Sequence, residues 1–117
     1  MRIAVIGSRQ VEGNLAALVL KELPPNVSEI VSGGASGIDS AAEQAAEILS
    51  LPVTVFRPDY TRYGRQAPLV RNTELITYAD EVLAFWDGQS RGTRFAIGEC
   101  IRLGRPVRVI PLPPRQR

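Results

Sequence analysis

Residues 29–49 have the sequence EIVSGGASGIDSAAEQAAEIL, and this stretch decides the fold. Glu29 to Val31 predict a short strand that ends at the glycines that follow it. The last part of the stretch predicts a helix with a broad apolar face formed by Ile38, Ala41, Ala42, Ala45, Ile48 and Leu49. A strand, a glycine loop and a helix in immediate succession are the repeating unit of proteins with a parallel sheet.

The same alternation continues in both directions along the chain. Strands are predicted at residues 2–6, 29–31, 51–56, 81–85 and 107–110. Helices are predicted at residues 11–23, 38–49, 67–78 and 93–103, with an irregular stretch at 57–66. This order predicts an α/β fold: a Rossmann-like, three-layer α/β/α domain with a five-stranded parallel sheet of strand order 3-2-1-4-5. The domain is expected to span residues 1–110, followed by a proline-rich basic tail at 111–117.

The composition limits the chemistry. The chain has 117 residues, 44% of them hydrophobic, which suits one domain with its own core. Histidine is absent and Cys100 is the single cysteine, which excludes Ser-His-Asp and Cys-His catalysis, the common zinc sites and an internal disulfide. No metal or other cofactor is predicted. Cys100 is predicted to be a small core or interface residue, because no histidine could activate its thiol.

No stretch reaches the roughly 18 apolar residues of a membrane helix, and a strand follows Met1 directly, without a signal peptide. We therefore expect a cytoplasmic protein with no membrane partner. The alanine-rich helices and the short chain suggest self-association, so a homo-oligomer is expected.

The net charge of +2 hides an asymmetry between the two halves of the chain. Residues 1–56 carry three basic and six acidic residues, whereas residues 57–117 carry eleven arginines and six acidic residues. Arginine contacts phosphate with two parallel donors, so the second half favours an anionic ligand. Genome composition or adaptation to heat would explain the arginine excess equally well.

Two glycine loops, at 33–37 and 88–93, each connect a strand to a helix. Glycine lets the backbone approach a ligand closely, and the first turn of the helix presents free N–H groups and the positive end of its dipole, so such loops suit phosphate. Neither is a Walker A loop, and the single glycine after the first strand excludes the dinucleotide fingerprint. Tight turns alone would also explain the glycines. The candidate ligand-binding residues are Gly7, Ser8, Arg9, Gly33, Gly34, Gly37, Asp39, Arg71, Asn72, Gly88, Ser90, Gly92 and Thr93.

Two of these candidates have a structural alternative. Asp39 could hold the amides of its loop or act as a charge at the amino end of the following helix, a structural role that is favoured slightly, or it could hydrogen-bond a ribose. Arg71 could contact phosphate or form a salt bridge to Glu74 or Asp80.

Two further residues follow the fourth predicted strand. Trp86 could stack on a base, although packing at the end of the sheet is the more common role of such a residue. Asp87 could be a general base or, more simply, a cap of its loop.

At this point the motifs resemble those of a known group, the SLOG superfamily, and most closely its small YspA-type branch. The motifs that carry the resemblance follow in the expected order between residues 2 and 110: Ile6-Gly7-Ser8-Arg9, Val31 to Asp39, Arg71-Asn72, Phe85 to Gly88, and Ser90 to Thr93. The resemblance implies a Rossmann-like sheet that holds nucleotides or related phosphates. The YspA-type branch is regarded as a predicted sensor or processor of nucleotide-derived ligands.

Three better-understood groups of the superfamily suggest different activities. LOG-type phosphoribohydrolases cleave the base from a nucleoside monophosphate, a DNA-processing protein loads recombinase onto single-stranded DNA, and a third group carries molybdenum cofactor. LOG-type enzymes have a Gly-Gly-x-Gly-Thr-x-x-Glu motif with a catalytic glutamate. Gly92-Thr93 matches its Gly-Thr, but Ala96 stands at the position of the glutamate and Glu99 lies three residues further on. The Arg-Lys pair of those enzymes corresponds to Arg71-Asn72.

These observations support three hypotheses. The leading one is a module that binds a nucleotide or nucleotide-derived phosphate ligand. The first alternative is a hydrolase of the N-glycosidic bond, in which Asp87 or Glu99 replaces the missing glutamate. The second is binding of single-stranded nucleic acid through the arginine-rich half, which is not favoured because the sequence has few aromatic residues for base stacking.

Overall fold

The computed structural model describes residues 1–8 and 13–112. The strands are β1 (Arg2–Gly7), β2 (Glu29–Ser32), β3 (Val53–Val55), β4 (Glu81–Trp86) and β5 (Val107–Pro111). The helices are α1 (Leu15–Glu22), α2 (Ile38–Ile48), the short α3 (Tyr60–Tyr63), α4 (Ala67–Tyr78) and α5 (Arg91–Arg102), with a 3₁₀ turn at Gly64–Gln66. Among these residues, no helix is both long enough and apolar enough to cross a bilayer.

The five strands form one parallel sheet of order β3-β2-β1-β4-β5, which confirms the predicted fold class and strand order. β1 lies at the centre, where Ala4 pairs with Val31 of β2 and with Val82 of β4. The chain therefore reverses its direction of winding at β1, and the loops after β1, β2 and β4 meet at the carboxyl edge of the sheet. In sheets of this kind, ligands bind at such a point.

Two apolar layers cover the sheet. Side chains alternate along a strand, so Ile3 and Val5 face α1 and α2, while Ala4 and Ile6 face α4 and α5. Burial on both faces explains why β1 is apolar almost throughout. Cys100 is fully buried in the second layer, and burial raises the pKa of its thiol to about 11, so the predicted core role is confirmed.

Several element boundaries differ from the prediction. α1 begins at Leu15 rather than at residue 11, because Asn14 Oδ1 accepts a hydrogen bond from the Ala17 N–H (3.1 Å) and caps the helix. β3 is only three residues long and half-buried at the edge of the sheet. The stretch 57–66 contains α3, capped by Asp59, instead of being wholly irregular.

The predicted apolar face of α2 is wrong in its last turn. Ile48 and Leu49 are 64% and 44% exposed, because the helix ends at Ile48 and the chain turns away through Ser50 at φ 56°. At the other end of the chain, β5 includes Pro111, and Leu112 is buried in the core. The rest of the predicted tail, residues 113–117, lies outside the described residues. The expected homo-oligomer and cytoplasmic location stay predictions.

Candidate functional site

A cavity of about 480 Å³ opens at the carboxyl edge of the sheet, where the loops after β1, β2 and β4 meet. Helices α4 and α5 close its sides. Among the residues that the structure describes, its lining combines glycines, hydroxyls, two carboxylates, one arginine and an apolar wall. The lining residues are Ile6, Gly7, Ser8, Gly33, Ala35, Asp39, Arg71, Asn72, Leu75, Asp87, Gln89, Ser90, Gly92, Thr93 and Ala96.

Most of the candidate ligand-binding residues are brought together here. Those that line the cavity are Gly7, Ser8, Gly33, Asp39, Arg71, Asn72, Ser90, Gly92 and Thr93. Gly34, Gly37 and Gly88 are not part of the lining, and Arg9 lies outside the described residues. Their proximity makes a ligand role possible for the lining residues, and that role stays a prediction.

The three glycines outside the lining have a different role. Gly34, Gly37 and Gly88 adopt positive φ values of 73°, 71° and 82°. Side chains disfavour this left-handed region, so these glycines are needed to turn the chain between a strand and the next helix. This conformation is the one expected from the alternative explanation by tight turns, and a ligand role of these three glycines stays a prediction.

Gly33 lies against two buried charged side chains. A Cβ atom placed on Gly33 would lie 2.8 Å from Arg71 Nη1 and 2.9 Å from Asp39 Oδ2. The Arg71 guanidinium donates to the Gly33 carbonyl (2.5 Å) and to Asn72 Oδ1 (2.8 Å). The absence of a side chain at Gly33 thus lets a helix-borne arginine approach the glycine loop from α4.

The open questions about Asp39 and Arg71 are partly answered. Asp39 Oδ2 accepts a hydrogen bond from the Ala35 N–H (3.1 Å), which is the favoured structural role. Arg71 is only 7% exposed and faces the cavity, whereas Asp80 forms its salt bridge with Arg2 (3.5 Å). The predicted salt bridge of Arg71 to Asp80 is therefore not formed, and Arg71 lines the cavity with its guanidinium bonded to the Gly33 carbonyl and Asn72.

The second glycine loop ends in an uncapped helix. Asp87 Oδ1 accepts hydrogen bonds from the N–H groups of Ser90 (2.8 Å) and Gln89 (2.9 Å), and these bonds hold the pKa of Asp87 below its usual value. Asp87 is thus a cap of its loop. The bonds fix Ser90 as the residue before α5, so α5 begins at Arg91, two residues earlier than predicted, and Gly92 belongs to its first turn.

The first turn of α5 presents donors to the cavity. No side chain caps this helix, because the Ser90 hydroxyl lies 3.2 Å from the Thr93 hydroxyl instead of bonding to the backbone. The first N–H groups of a helix have no partner within the helix. Together with the helix dipole, such groups are suited to an anion, and this role stays a prediction.

Ser8 places a buried hydroxyl at the cavity. The residue is 2% exposed, it lines the cavity, and its Oγ makes no hydrogen bond with the described residues. The Ser8 hydroxyl nevertheless lies close enough to Asp87 to help hold the pKa of that carboxyl below its usual value, after the N–H groups of Ser90 and Gln89. A buried hydroxyl without a partner costs about 1–3 kcal/mol, so a ligand oxygen at this point would relieve a real penalty.

The Trp86 side chain contacts the second glycine loop, at residues 88–93. Its Nε1 donates to the Ser90 carbonyl (3.0 Å), and the Arg94 guanidinium carbon lies 5.9 Å from the centre of its ring. The side chain is half-buried at the end of β4. These contacts are those of the predicted packing role, and the alternative of base stacking is not tested.

Some lining residues are not predicted from the sequence. Ile6, Leu75 and Ala96 form an apolar wall, and in the sequence they look like ordinary core residues. Gln89 and Ala35 lie inside the two predicted loops, so their position is the available signal. Ala96 stands out in the sequence only because it occupies the position of the catalytic glutamate in LOG-type enzymes.

The other carboxylate considered as a replacement for that glutamate lies elsewhere. Glu99 is not part of the lining; its carboxylate accepts bonds from Arg102 (2.7 and 3.0 Å) and from the Thr73 hydroxyl (2.9 Å). These donors lower the pKa of Glu99 to about 2. Glu99 thus joins α4 to α5 and does not reach the cavity.

Replacing Glu99 by glutamine is expected to lower the free energy of unfolding at neutral pH. Because folding lowers the pKa of this group from 4.5 to about 2, its stabilisation is complete above pH 4.5 and is lost as the pH falls through about 2. Urea unfolding of both proteins across this range should show a constant difference above about pH 5 that shrinks below it. Glu47→Gln, an exposed glutamate of α2, is the control. A difference that does not change with pH would contradict the assignment.

Comparison with known proteins places this site in a family. The family model for DNA recombination-mediator protein A matches residues 1–56, which include β1, β2 and the first glycine loop. The Gene 61 protein of Mycobacterium phage D29 is 36% identical over 84 residues, which are 67% of each chain.

Two solved structures have the same fold. DNA processing protein A from Helicobacter pylori superposes with a TM-score of 0.75 and 21% identity over 96% of this chain, and its structure was described for its single-stranded DNA binding mode. The protein from Streptococcus pneumoniae gives a TM-score of 0.78 and 22% identity over 95% of this chain. The present chain spans 66% and 50% of those two chains.

The resemblance to the SLOG superfamily is thereby confirmed at the level of its DNA-processing group, and the YspA-type branch stays a prediction. The identity to the phage protein over two thirds of both chains, the family match and the shared strand order agree with one another. We conclude that the chain and the Gene 61 protein of Mycobacterium phage D29 belong to one family, and that the first 56 residues of the chain match the family model for DNA recombination-mediator protein A.

Proposed function

We propose that this domain binds single-stranded DNA and holds one backbone phosphate in the cavity at the amino end of α5. The observation that carries the proposal is the buried Ser8 hydroxyl, which makes no well-formed hydrogen bond with residues 1–8 and 13–112 and lines the same cavity as the first turn of α5. The solved relative from Helicobacter pylori, which binds single-stranded DNA, supports a polymeric ligand. This reverses the order of the hypotheses drawn from the sequence, in which a nucleotide came first.

The proposed phosphate would meet donors from three elements. Ser8 follows β1, the N–H groups of the first turn belong to α5, and the hydroxyls of Ser90 and Thr93 lie beside them. Hydrogen bonds to a charged oxygen are roughly twice as strong as those between neutral groups. A phosphate at this point would therefore satisfy Ser8 and complete the cap of α5 at once.

The cavity is not purely cationic, and this favours one phosphate over a stack of several. Asp39 and Asp87 both line it, and each accepts N–H groups of its own loop. Arg71 is the basic residue of the described lining. Additional negative charge would have to be neutralised by groups outside the cavity.

Replacing Ser8 by alanine is expected to change stability and binding in opposite directions. Removal of a buried, unpartnered hydroxyl should leave the melting temperature unchanged or higher, whereas loss of a bond to a charged phosphate should weaken binding of a fluorescent (dT)12 oligonucleotide roughly tenfold to a hundredfold. Thermal unfolding and fluorescence anisotropy measure the two effects.

The control is Ser28→Ala, which changes a serine that contacts the Met1 amino group at the opposite edge of the sheet. This variant should bind the oligonucleotide like the wild type. Unchanged affinity of Ser8→Ala, or a loss equal to that of the control, would contradict a phosphate at Ser8.

A free nucleotide is the second candidate. The volume of about 480 Å³ and the apolar wall of Ile6, Leu75 and Ala96 are those of a small-molecule site. Titration with dTMP and AMP separates the candidates, because a strand contacts the protein with several phosphates. A mononucleotide that binds as tightly as (dT)12 would favour the small ligand. We propose no hydrolytic step, since Ala96 lines the cavity where a glutamate would be required and Glu99 is engaged elsewhere.

A further inference from the structure

The sheet has two edge strands, and they differ in length. β3 forms one edge with three residues, whereas β5 forms the other with five. A strand at an edge presents a row of unpaired backbone N–H and C=O groups, and natural proteins usually shorten, charge or cover such a strand. Since β3 is short, β5 is the edge on which a further strand could pair.

The hydrogen bonds to β4 show which backbone groups of β5 point outward. The Pro106 carbonyl accepts the Val82 N–H (2.9 Å), and the Leu112 N–H donates to the Trp86 carbonyl (2.8 Å). Backbone groups alternate in direction along a strand, so the even-numbered residues bond to β4. Three residues therefore direct their backbone groups away from the sheet: Val107, Val109 and Pro111. Within residues 1–8 and 13–112, β5 pairs with β4 alone.

Apolar side chains lie beside this unpaired backbone. Val109 is 42% exposed, and Ile101 of α5 is 71% exposed. Glu99 of α5 contacts Thr73 of α4 (2.9 Å), and Ile101, two residues further on, lies roughly 200° around the helix. Because α5 packs on β4 and β5, the side of α5 away from α4 is the side of β5. Ile101 and Val109 thus border the same open edge.

The charged residue of β5 does not block this edge. The Arg108 guanidinium donates to the Glu22 carbonyl and pairs with the Glu22 carboxylate (3.3 Å) at the end of α1. Side chains alternate along a strand, so Arg108 lies on the opposite face of the sheet from Val109. Its charge is balanced within the same copy of the chain, and it leaves the apolar side of the edge uncharged.

We propose that β5 pairs antiparallel with β5 of a second copy of the chain, so that two five-stranded sheets join into one of ten strands. A two-fold axis at Val109 places this residue opposite Val109 of the second copy, and each donates its N–H to the carbonyl of the other. Val107 then lies opposite Pro111 of the second copy. Pro111 has no N–H, but its carbonyl accepts the Val107 N–H, so this register uses every outward N–H of the strand.

The side chains favour the same occupant. In this register Arg108 lies opposite Ile110 of the second copy rather than opposite another arginine. The two Val109 side chains lie next to each other on the face that Ile101 borders, so the exposed apolar groups of one copy cover those of the other. The two strands run in opposite directions, and the two cavities therefore open at opposite edges of the joined sheet. The proposal gives the predicted homo-oligomer a defined surface.

Sedimentation equilibrium over a wide range of protein concentration tests the pairing. The mass of the wild type should rise from that of one chain to that of two. Val109→Lys sets two like charges opposite each other and should stay monomeric at concentrations where the wild type is dimeric. Ile101→Lys, on the exposed side of α5, should do the same and replaces Val109→Lys if that variant does not fold. Ile48→Lys makes the same change at an exposed position of α2 and should dimerise like the wild type.

A single cysteine tests the register. The Cα atoms of a hydrogen-bonded antiparallel pair lie about 5.5 Å apart, which is within the range that a disulfide spans. Val109→Cys should therefore become a covalent dimer under mild oxidation. Lys21→Cys, at an exposed position of α1, should stay mostly monomeric under the same conditions. Cys100 is fully buried and does not compete.

Three results would each overturn the proposal. A wild type that stays monomeric at the highest concentration would show that the edge does not pair. A dimer that both lysine variants of the edge leave intact would be held by another surface. A Val109→Cys protein that oxidises no faster than Lys21→Cys would exclude this register. None of these measurements uses DNA, so the proposal does not depend on the proposed function.

Discussion

Replacing Gly92 by aspartate is expected to abolish binding of single-stranded DNA while the domain becomes more stable. Gly92 lies in the first turn of α5 and lines the cavity, and a Cβ atom placed on it has no neighbour within 4 Å. A new side chain therefore fits without displacing any described residue. Its carboxylate would occupy the space proposed for the phosphate and accept the same N–H groups.

The two effects have opposite signs because the fold and the ligand use the same helix end. Removing a glycine from a helix and adding an acid to its first turn should together raise the free energy of unfolding by about 1 kcal/mol. Two like charges about 4 Å apart repel by about 4 kcal/mol at an effective dielectric constant near 20, which corresponds to a loss of affinity on the order of a thousandfold. Anisotropy with (dT)12 and urea unfolding measure the two quantities.

The chain offers a matched control on the same helix. Gly98 lies in the interior of α5, also without a neighbour within 4 Å of an added Cβ atom, and does not line the cavity. Gly98→Asp makes the same change in net charge, so it should bind DNA almost like the wild type. Gly92→Ala should be stabilised and keep its affinity within a few fold. Equal losses for both aspartate variants would point to a general charge effect and contradict a phosphate at Gly92.

The fold could be predicted because the strands of a sheet that is buried on both faces form apolar runs that can be recognised in the sequence. Strands such as β1 must be apolar at nearly every position, and their alternation with helices restricts the topology to a few possibilities. The first and last residues of the helices were harder to predict from the sequence. The start of α5 depends on the side chain of Asp87 bonding to Gln89 and Ser90, and the start of α1 on the cap formed by Asn14.

The site could be predicted as a set of loops but not as a set of contacts. The glycines of one loop have different roles, since Gly34 and Gly37 have positive φ, whereas Gly33 makes room for Arg71. The sequence alone does not show which of these glycines has which role. The sequence also left Asp80 open as a partner of Arg71, whereas the fold pairs Asp80 with Arg2 at the start of β1.

Replacing Gly7 by alanine is expected to destabilise the domain and to weaken binding at the same time. Gly7 closes β1 and pairs with Phe85 of β4. A Cβ atom at this position would lie 2.6 Å from the Phe85 carbonyl oxygen and 2.8 Å from Cγ1 of the buried Ile38. One of these neighbours is backbone within the sheet, so a strand or α2 must move. Overpacking of this kind costs about 1–3 kcal/mol.

The displacement would pass directly to the proposed phosphate site, because the next residue is Ser8, whose N–H donates to the same Phe85 carbonyl (3.2 Å). We therefore expect a fall in melting temperature of about 5–15 °C, together with weaker binding of (dT)12 at a temperature where the variant remains folded. Gly98→Ala, which adds the same methyl group in open space, should raise the melting temperature. A Gly7→Ala protein that melts like the wild type would show that β1 and α2 can separate without cost.

Gly7 and Gly92 both line the cavity, but a methyl group should have opposite effects on stability at the two positions. It should destabilise the domain at Gly7 and stabilise it at Gly92, because only Gly7 is enclosed by backbone.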